Sequence, residues 1–167
     1  MKVKELIEHA DRIIRKMFSE DGGVHEGRVW IHTKGRLISI PCKPKGSKAE
    51  MLMKAYTCAA IYATRKAGTF EGAVMIAEAW MSLVKLPQKK SYPMPALDPD
   101  RIEVAILLAY GDDGKVEARA RRIEERNGKR MLGDTYEPFN KAGMRYQSWL
   151  DAAFKDPEES KNGKPKN

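Results

Sequence analysis

The chain has little of what usually announces chemistry. Among its 167 residues are two cysteines, Cys42 and Cys58, and three scattered histidines, His9, His25 and His32. None falls into a CxxC, Cys/His or HExxH spacing, so a zinc site finds no support. The two thiols read as free in a reducing compartment, with Cys58 acting as a small buried hydrophobe. A GxSxG elbow, a GxxxxGK[ST] phosphate loop and a GxGxxG turn are all missing. Serine hydrolysis, nucleotide hydrolysis and dinucleotide chemistry therefore have no motif behind them. Cys42 and His32 fall near each other on a predicted hairpin, but no activating environment accompanies them. No apolar run approaches the roughly 20 residues that span a bilayer. The opening MKVKELIEHADRIIRKMF is charged throughout and lacks the apolar centre of a signal peptide. The expectation is a cytoplasmic protein with no membrane partner, no metal and no cofactor, and no residue is assigned a catalytic role.

What is abundant is positive charge, and it is local. The net charge is +8, while 42% of residues are hydrophobic and 32% charged, which fits one globular domain with a real core. Residues 28–48 carry Arg28, Lys34, Arg36, Lys43, Lys45 and Lys48 without a single acid. Residues 85–97 add Lys85, Lys89 and Lys90, again without one. These nine cations exceed the net charge of +8, so the rest of the chain is one unit negative. Such regional basicity points to an anionic partner more than a high isoelectric point does.

Periodicity supplies the architecture. Val3, Leu6, Ile7, Ala10, Ile13, Ile14 and Met17 recur at helical spacing, predicting an amphipathic helix that stops near Gly22-Gly23. Residues 28–33 and 36–40 alternate as two strands around Lys34-Gly35, closed by Pro41 and Pro44. Ser47 and Glu50 form a capping-box pattern ahead of a helix over 48–66. That helix is apolar around most of its circumference, which predicts a central position covered on several sides. Gly68 is its expected stop. Residues 72–84 and 101–110 are long branched apolar runs, expected as central strands, and the proline-rich 87–99 between them is too long for a hairpin turn. Segment 115–126, KVEARARRIEER, fits both periods, and the turns Gly111–Gly114 and Asn127-Gly128 that bracket it decide for a strand. A short helix from about residue 141, docked through Trp149, Leu150 and Phe154, ends the domain at 154. Residues 155–167 are expected to be disordered. The fold class is thus α+β: an antiparallel meander of three to four strands plus an N-terminal hairpin, packed on a central helix with flanking N- and C-terminal helices.

Two constellations stand out. Glu78 is the one acid in MIAEAWMSLV, residues 75–84. A buried carboxylate needs a partner, and Arg101 is the expected one. The competing reading joins Glu78 with Asp98, Asp100 and Glu103 as oxygen ligands of a divalent cation cleaving phosphodiesters. The DPDR stretch, 98–101, reads as a turn fixed by Pro99. The second constellation is RVWIHTKGRL, residues 28–37. Here Arg28, Trp30, His32, Lys34 and Arg36 offer cations and a stacking ring on one ribbon, suited to phosphates and bases or to an acidic protein surface. With Lys43, Lys45, Lys85, Lys89 and Lys90 they form the candidate binding set.

AEAWM (77–81), followed by DPDRIEV (98–104), resembles a loose group of uncharacterised proteins from bacteria and their phages, across about residues 50–133. The resemblance implies that Glu78, Trp80, Arg101 and Glu103 belong to one structural unit. It also fits a phage- or prophage-encoded protein, and it carries over no activity. The functional expectation is a small non-catalytic binding protein whose basic hairpin and 85–90 loop engage an acidic protein surface. Nucleic-acid binding is the alternative and a metal-dependent phosphodiesterase the distant one. An exposed sheet edge is the expected route to a homodimer.

Overall fold

The computed structural model describes residues 1–44, 46–81 and 99–135. Helix α1 (Val3–Asp21) is followed by the hairpin β1 (Arg28–Thr33) and β2 (Arg36–Pro41), helix α2 (Lys48–Lys66), and strands β3 (Phe70–Met81), β4 (Ile102–Gly111), β5 (Val116–Arg126) and β6 (Lys129–Thr135). The class is α+β, as the periodicities imply. The six described strands form one antiparallel sheet in the order β2-β1-β3-β4-β5-β6. The N-terminal hairpin is therefore part of the meander's own sheet, because β1 pairs with β3 from Arg28 opposite Ile76 to Thr33 opposite Phe70.

Alternation along the strands divides the core in two. On one face Val74 and Ile76 of β3 and Ala105, Leu107 and Ala109 of β4 meet Leu6, Ile7, Ala10, Ile14 and Phe18 of α1. On the other, Val29, Ile31, Ala73, Met75, Leu108 and Tyr110 meet Ile61 of α2. Gly72 lets α1 close on the sheet, since a Cβ there would collide with the Leu6 side chain. The ambiguous 116–126 segment is a strand for a reason visible in its side chains. Val116, Ala118 and Ala120 pack on the α2-side face, while Arg119 and Arg121 on the alternate face reach Glu8 and Asp11 of α1. Asn127 and Gly128 both have positive φ, 53° and 71°, as a type I′ turn requires.

One expectation is overturned. The helix that lies across the middle of the sheet is α1, and α2 sits at the β2–β1–β3 margin. Only Glu50, Thr57 and Ile61 of α2 are buried, whereas Leu6, Ile7, Ala10, Asp11, Ile14 and Phe18 of α1 are. An apolar circumference states that a helix can be covered all round, and not that this chain's described residues cover it. Ser47 does cap α2, accepting the Glu50 amide at 3.0 Å, and the Glu50 carboxylate accepts the Gly46 amide at 2.5 Å. The expected C-terminal helix, the 155–167 tail and the domain limit at 154 lie outside the described residues. No helix among the described residues is long and apolar enough to cross a membrane.

Candidate functional site

The hairpin's cations separate into two groups. At its base, Arg28 donates to Glu26 at 3.1 Å and to the Ser39 hydroxyl at 3.0 Å, and Lys43 donates to Glu26 at 2.5 Å. The Lys43 and Arg28 ammonium and guanidinium hold the Glu26 carboxyl below its usual range. Glu26 lies two residues before the acid-free run, so a window drawn from Arg28 misses the carboxylate that both cations share. At the tip, Lys34 and Arg36 are exposed. The Lys34 amide donates to the Thr69 carbonyl at 2.9 Å, which seats the tip against the chain leaving α2, just beyond Arg65 and Lys66.

Trp30 and His32 point toward the α1 face. Trp30 packs against the core under α1, and the His32 ring meets His9 of α1 edge-on, centroids 5.7 Å apart. Burial, then the neighbouring His9, pushes the His32 pKa down. The five ribbon residues consequently do not present a single surface. Lys45, Lys85, Lys89 and Lys90 lie outside the described residues.

Glu78 is part of a structural clasp. The expected partner, Arg101, is corrected to Arg130: its guanidinium donates to Glu78 Oε2 at 2.7 Å and to Glu103 Oε1 at 2.6 Å. Register explains the change. Arg101 precedes β4 and is level with the end of β3, where it lies 4.5 Å from the Trp80 ring. Arg130 of β6 crosses the same face to the level of Glu78, and the two carboxylates raise its pKa further. Glu78 also accepts the Val24 amide at 2.6 Å, and Arg130 donates to the Gly22 carbonyl at 3.3 Å. Gly23 leaves room for this convergence, because a Cβ there would meet both Arg130 and Glu78. Sequence reasoning missed Arg130 because its only sign was distance: it enters from β6 across 52 residues.

The clasp explains what Glu78 does. It ties the turn after α1 to β3 and β6 beside a cleft of about 420 Å³ lined by Phe18, Gly22, Val24 and Arg130. Of the proposed metal ligands, Glu78 and Glu103 do converge, but upon a guanidinium. Asp100 is exposed in the turn before β4, and Asp98 lies outside the described residues. Among the described residues no three His, Cys, Asp or Glu side chains come together as a metal site. Glu78→Gln is expected to lower the melting temperature, at a cost of about 1–3 kcal/mol for a weakened, half-buried charge-assisted pair. An unchanged thermal unfolding curve would contradict the clasp.

A second ion cluster joins α1 to β5. Asp11 receives two bonds from Arg121, Nε at 2.5 Å and Nη2 at 2.9 Å, and a third from Arg15 at 2.9 Å. Arg121 also donates to the Gly133 carbonyl at 3.2 Å. Both partners are buried. Burial would raise the Asp11 pKa, yet the hydrogen bonds from Arg121 and Arg15 outweigh it and hold the carboxyl below its usual value. Neither thiol is in a disulfide, both are partly buried, and burial pushes Cys58 up, away from a reactive thiolate.

Compared with protein-family models, curated proteins and solved structures, the chain matches none.

Proposed function

We propose that this chain is a non-catalytic binding protein that engages an acidic protein surface through the tip of its β1–β2 hairpin and the adjoining end of α2. The observation that carries the reading is the Lys34–Thr69 backbone bond. It sets the tip residues Lys34 and Arg36 beside the turn that follows Arg65 and Lys66. Four cations on two elements then share one end of the molecule. Exposed charges of this kind steer association and select partners by complementarity. The prominent carboxylates of the α1 face, Asp11, Glu78 and Glu103, are engaged by arginines, which favours binding over catalysis as the role of this chain.

Nucleic acid is the second reading, and the same cations support it. The tryptophan that would stack a base is packed toward α1, which favours protein as the ligand. The test is a Lys34→Glu/Arg36→Glu double variant titrated against a fluorescein-labelled 20-residue peptide rich in Glu and Asp. Affinity is expected to fall at least tenfold, about 1.4 kcal/mol. Equal binding by variant and parent would remove the hairpin tip from the account.

A further inference from the structure

The outer side of α2 is apolar. Met51 is 65% exposed, Leu52 51%, Tyr56 56% and Tyr62 45%. Met51, Ala55, Ala59 and Tyr62 follow i, i+4, i+8 and i+11 spacing, and Leu52 and Tyr56 flank them at i+1 and i+5, which makes one broad apolar face on the helix. No charged residue occurs between Lys54 and Arg65. The stripe runs from Met51 to Tyr62, eleven steps or about 17 Å, three turns of a helix. Beside it, Tyr56 and Met53 form one wall of a groove of about 300 Å³ whose other wall is Ile38 and Ile40 of the edge strand β2. A helix apolar on both sides, with one side left uncovered by the described residues, marks an interaction surface.

Charge selects the occupant. Lys48 stands at the start of the helix, Arg65 and Lys66 stand at its end, and Lys34 and Arg36 lie beyond that end. The acid of the helix, Glu50, is buried against the Gly46 amide and Lys54. A second copy docked about a two-fold axis would set basic ends against basic ends, whether the helices ran parallel or antiparallel. A partner with an apolar stripe between acidic flanks has no such conflict. We infer that the outer face of α2, bordered along Tyr56 by the groove against the β2 edge, docks an amphipathic helix of a partner protein, its apolar stripe on Met51, Leu52, Tyr56 and Tyr62 and its acidic flanks on Lys34, Arg36, Arg65 and Lys66. This rests on the acidic-partner reading and gives the partner its form, a helix laid along an apolar face.

The test uses the full chain and two fluorescein-labelled synthetic 18-residue amphipathic helices. Both carry a Leu/Ala stripe, flanked by Glu in one and by Lys in the other. Anisotropy is expected to saturate at micromolar protein with the Glu-flanked peptide and to show at least tenfold preference for it. Tyr56→Glu and, separately, Leu52→Ser are expected to weaken that binding at least tenfold while leaving the melting temperature unchanged, since both side chains are exposed. Undiminished binding by both variants overturns the docking face. If Lys34→Glu/Arg36→Glu still abolishes binding in that case, the acidic-partner reading survives without it; if that variant also binds normally, both fail. A dimer in sedimentation that Tyr56→Glu dissolves would give the stripe to a second copy and overturn the inference. Peptide binding that emerges only when residues 136–167 are deleted would give it to the chain's own C-terminal segment, and would equally overturn it.

Discussion

Asp11→Ala is expected to destabilise the protein by about 3–5 kcal/mol, because it strands the buried Arg121 guanidinium without its counter-charge. The loss is large because the arrangement is two-pronged and nearly dry. Arg121 keeps only the Gly133 carbonyl among its described partners, and Arg15 loses its contact on the same carboxylate. The double replacement Asp11→Leu/Arg121→Met removes both charges and is expected to recover most of that stability, as apolar substitutes for buried ion pairs commonly do. Urea unfolding of parent, single and double variants gives the comparison. A single-variant loss under about 1 kcal/mol would mean that the pair is solvated and that α1 is not locked to β5 by it. The pH dependence carries the same sign. The folded Asp11 pKa is depressed, so its contribution is complete above the ordinary aspartate value of about 3.9 and disappears as pH falls through the folded value.

The second large effect separates the two helices. Ile14→Ala is expected to cost about 2–5 kcal/mol, since Ile14 is fully buried between α1 and the sheet and its loss leaves a cavity. Leu52→Ala, an equally drastic trimming on α2, should change stability by no more than about 0.5 kcal/mol because the side chain is half in solvent. Common urea slopes with well-separated midpoints would bear this out. Comparable losses at the two positions would show that α2's outer face is covered within the chain itself, contrary to the fold described.

How much of this the sequence disclosed depends on whether a feature is local. The α1 stripe, the Ser47 cap, the alternation of Val29 and Ile31 and the Asn127-Gly128 turn are all set by neighbours within a few residues. Each occurs where its pattern indicates. The rank of the helices is a different kind of fact. Both α1 and α2 can bury an apolar face, and which one crosses the sheet depends on β1 pairing with β3 over a distant register, from Arg28 opposite Ile76 to Thr33 opposite Phe70. Segment 116–126 shows the same limit from the other side. Its alanines fit two periods, and its arginines gained meaning only once Glu8 and Asp11 stood opposite them.

The site was legible only in outline. Glu78 announces that it needs a partner, yet several arginines could serve, and the choice of Arg130 over Arg101 follows from strand register. Of the residues that the resemblance groups, Glu78, Trp80 and Glu103 share one sheet face, with Trp80 opposite Glu103, and Arg101, ahead of β4, lies over the Trp80 ring. The hairpin's charge was visible, but its division was not. Alternation sends Arg28, Trp30 and His32 to the α1 face, while the turn at Lys34-Gly35 carries the remaining cations to the far end. Glu26 then pairs with both cations of the base, Arg28 and Lys43, and halves their charge, while Lys34 and Arg36 remain exposed at the tip.

The measurement that tests the central claim most directly is a competition at 150 mM salt. The parent protein is titrated by fluorescence anisotropy against the Glu-flanked amphipathic peptide, duplex DNA, single-stranded DNA and RNA, each repeated across a salt series. An acidic-protein binder is expected to hold the peptide at micromolar concentration and to bind every nucleic acid at least tenfold more weakly. Submicromolar binding to DNA or RNA, with log K falling by about four to six per decade of salt as several phosphates are contacted, together with no binding of the peptide, would contradict the account and make nucleic acid the partner.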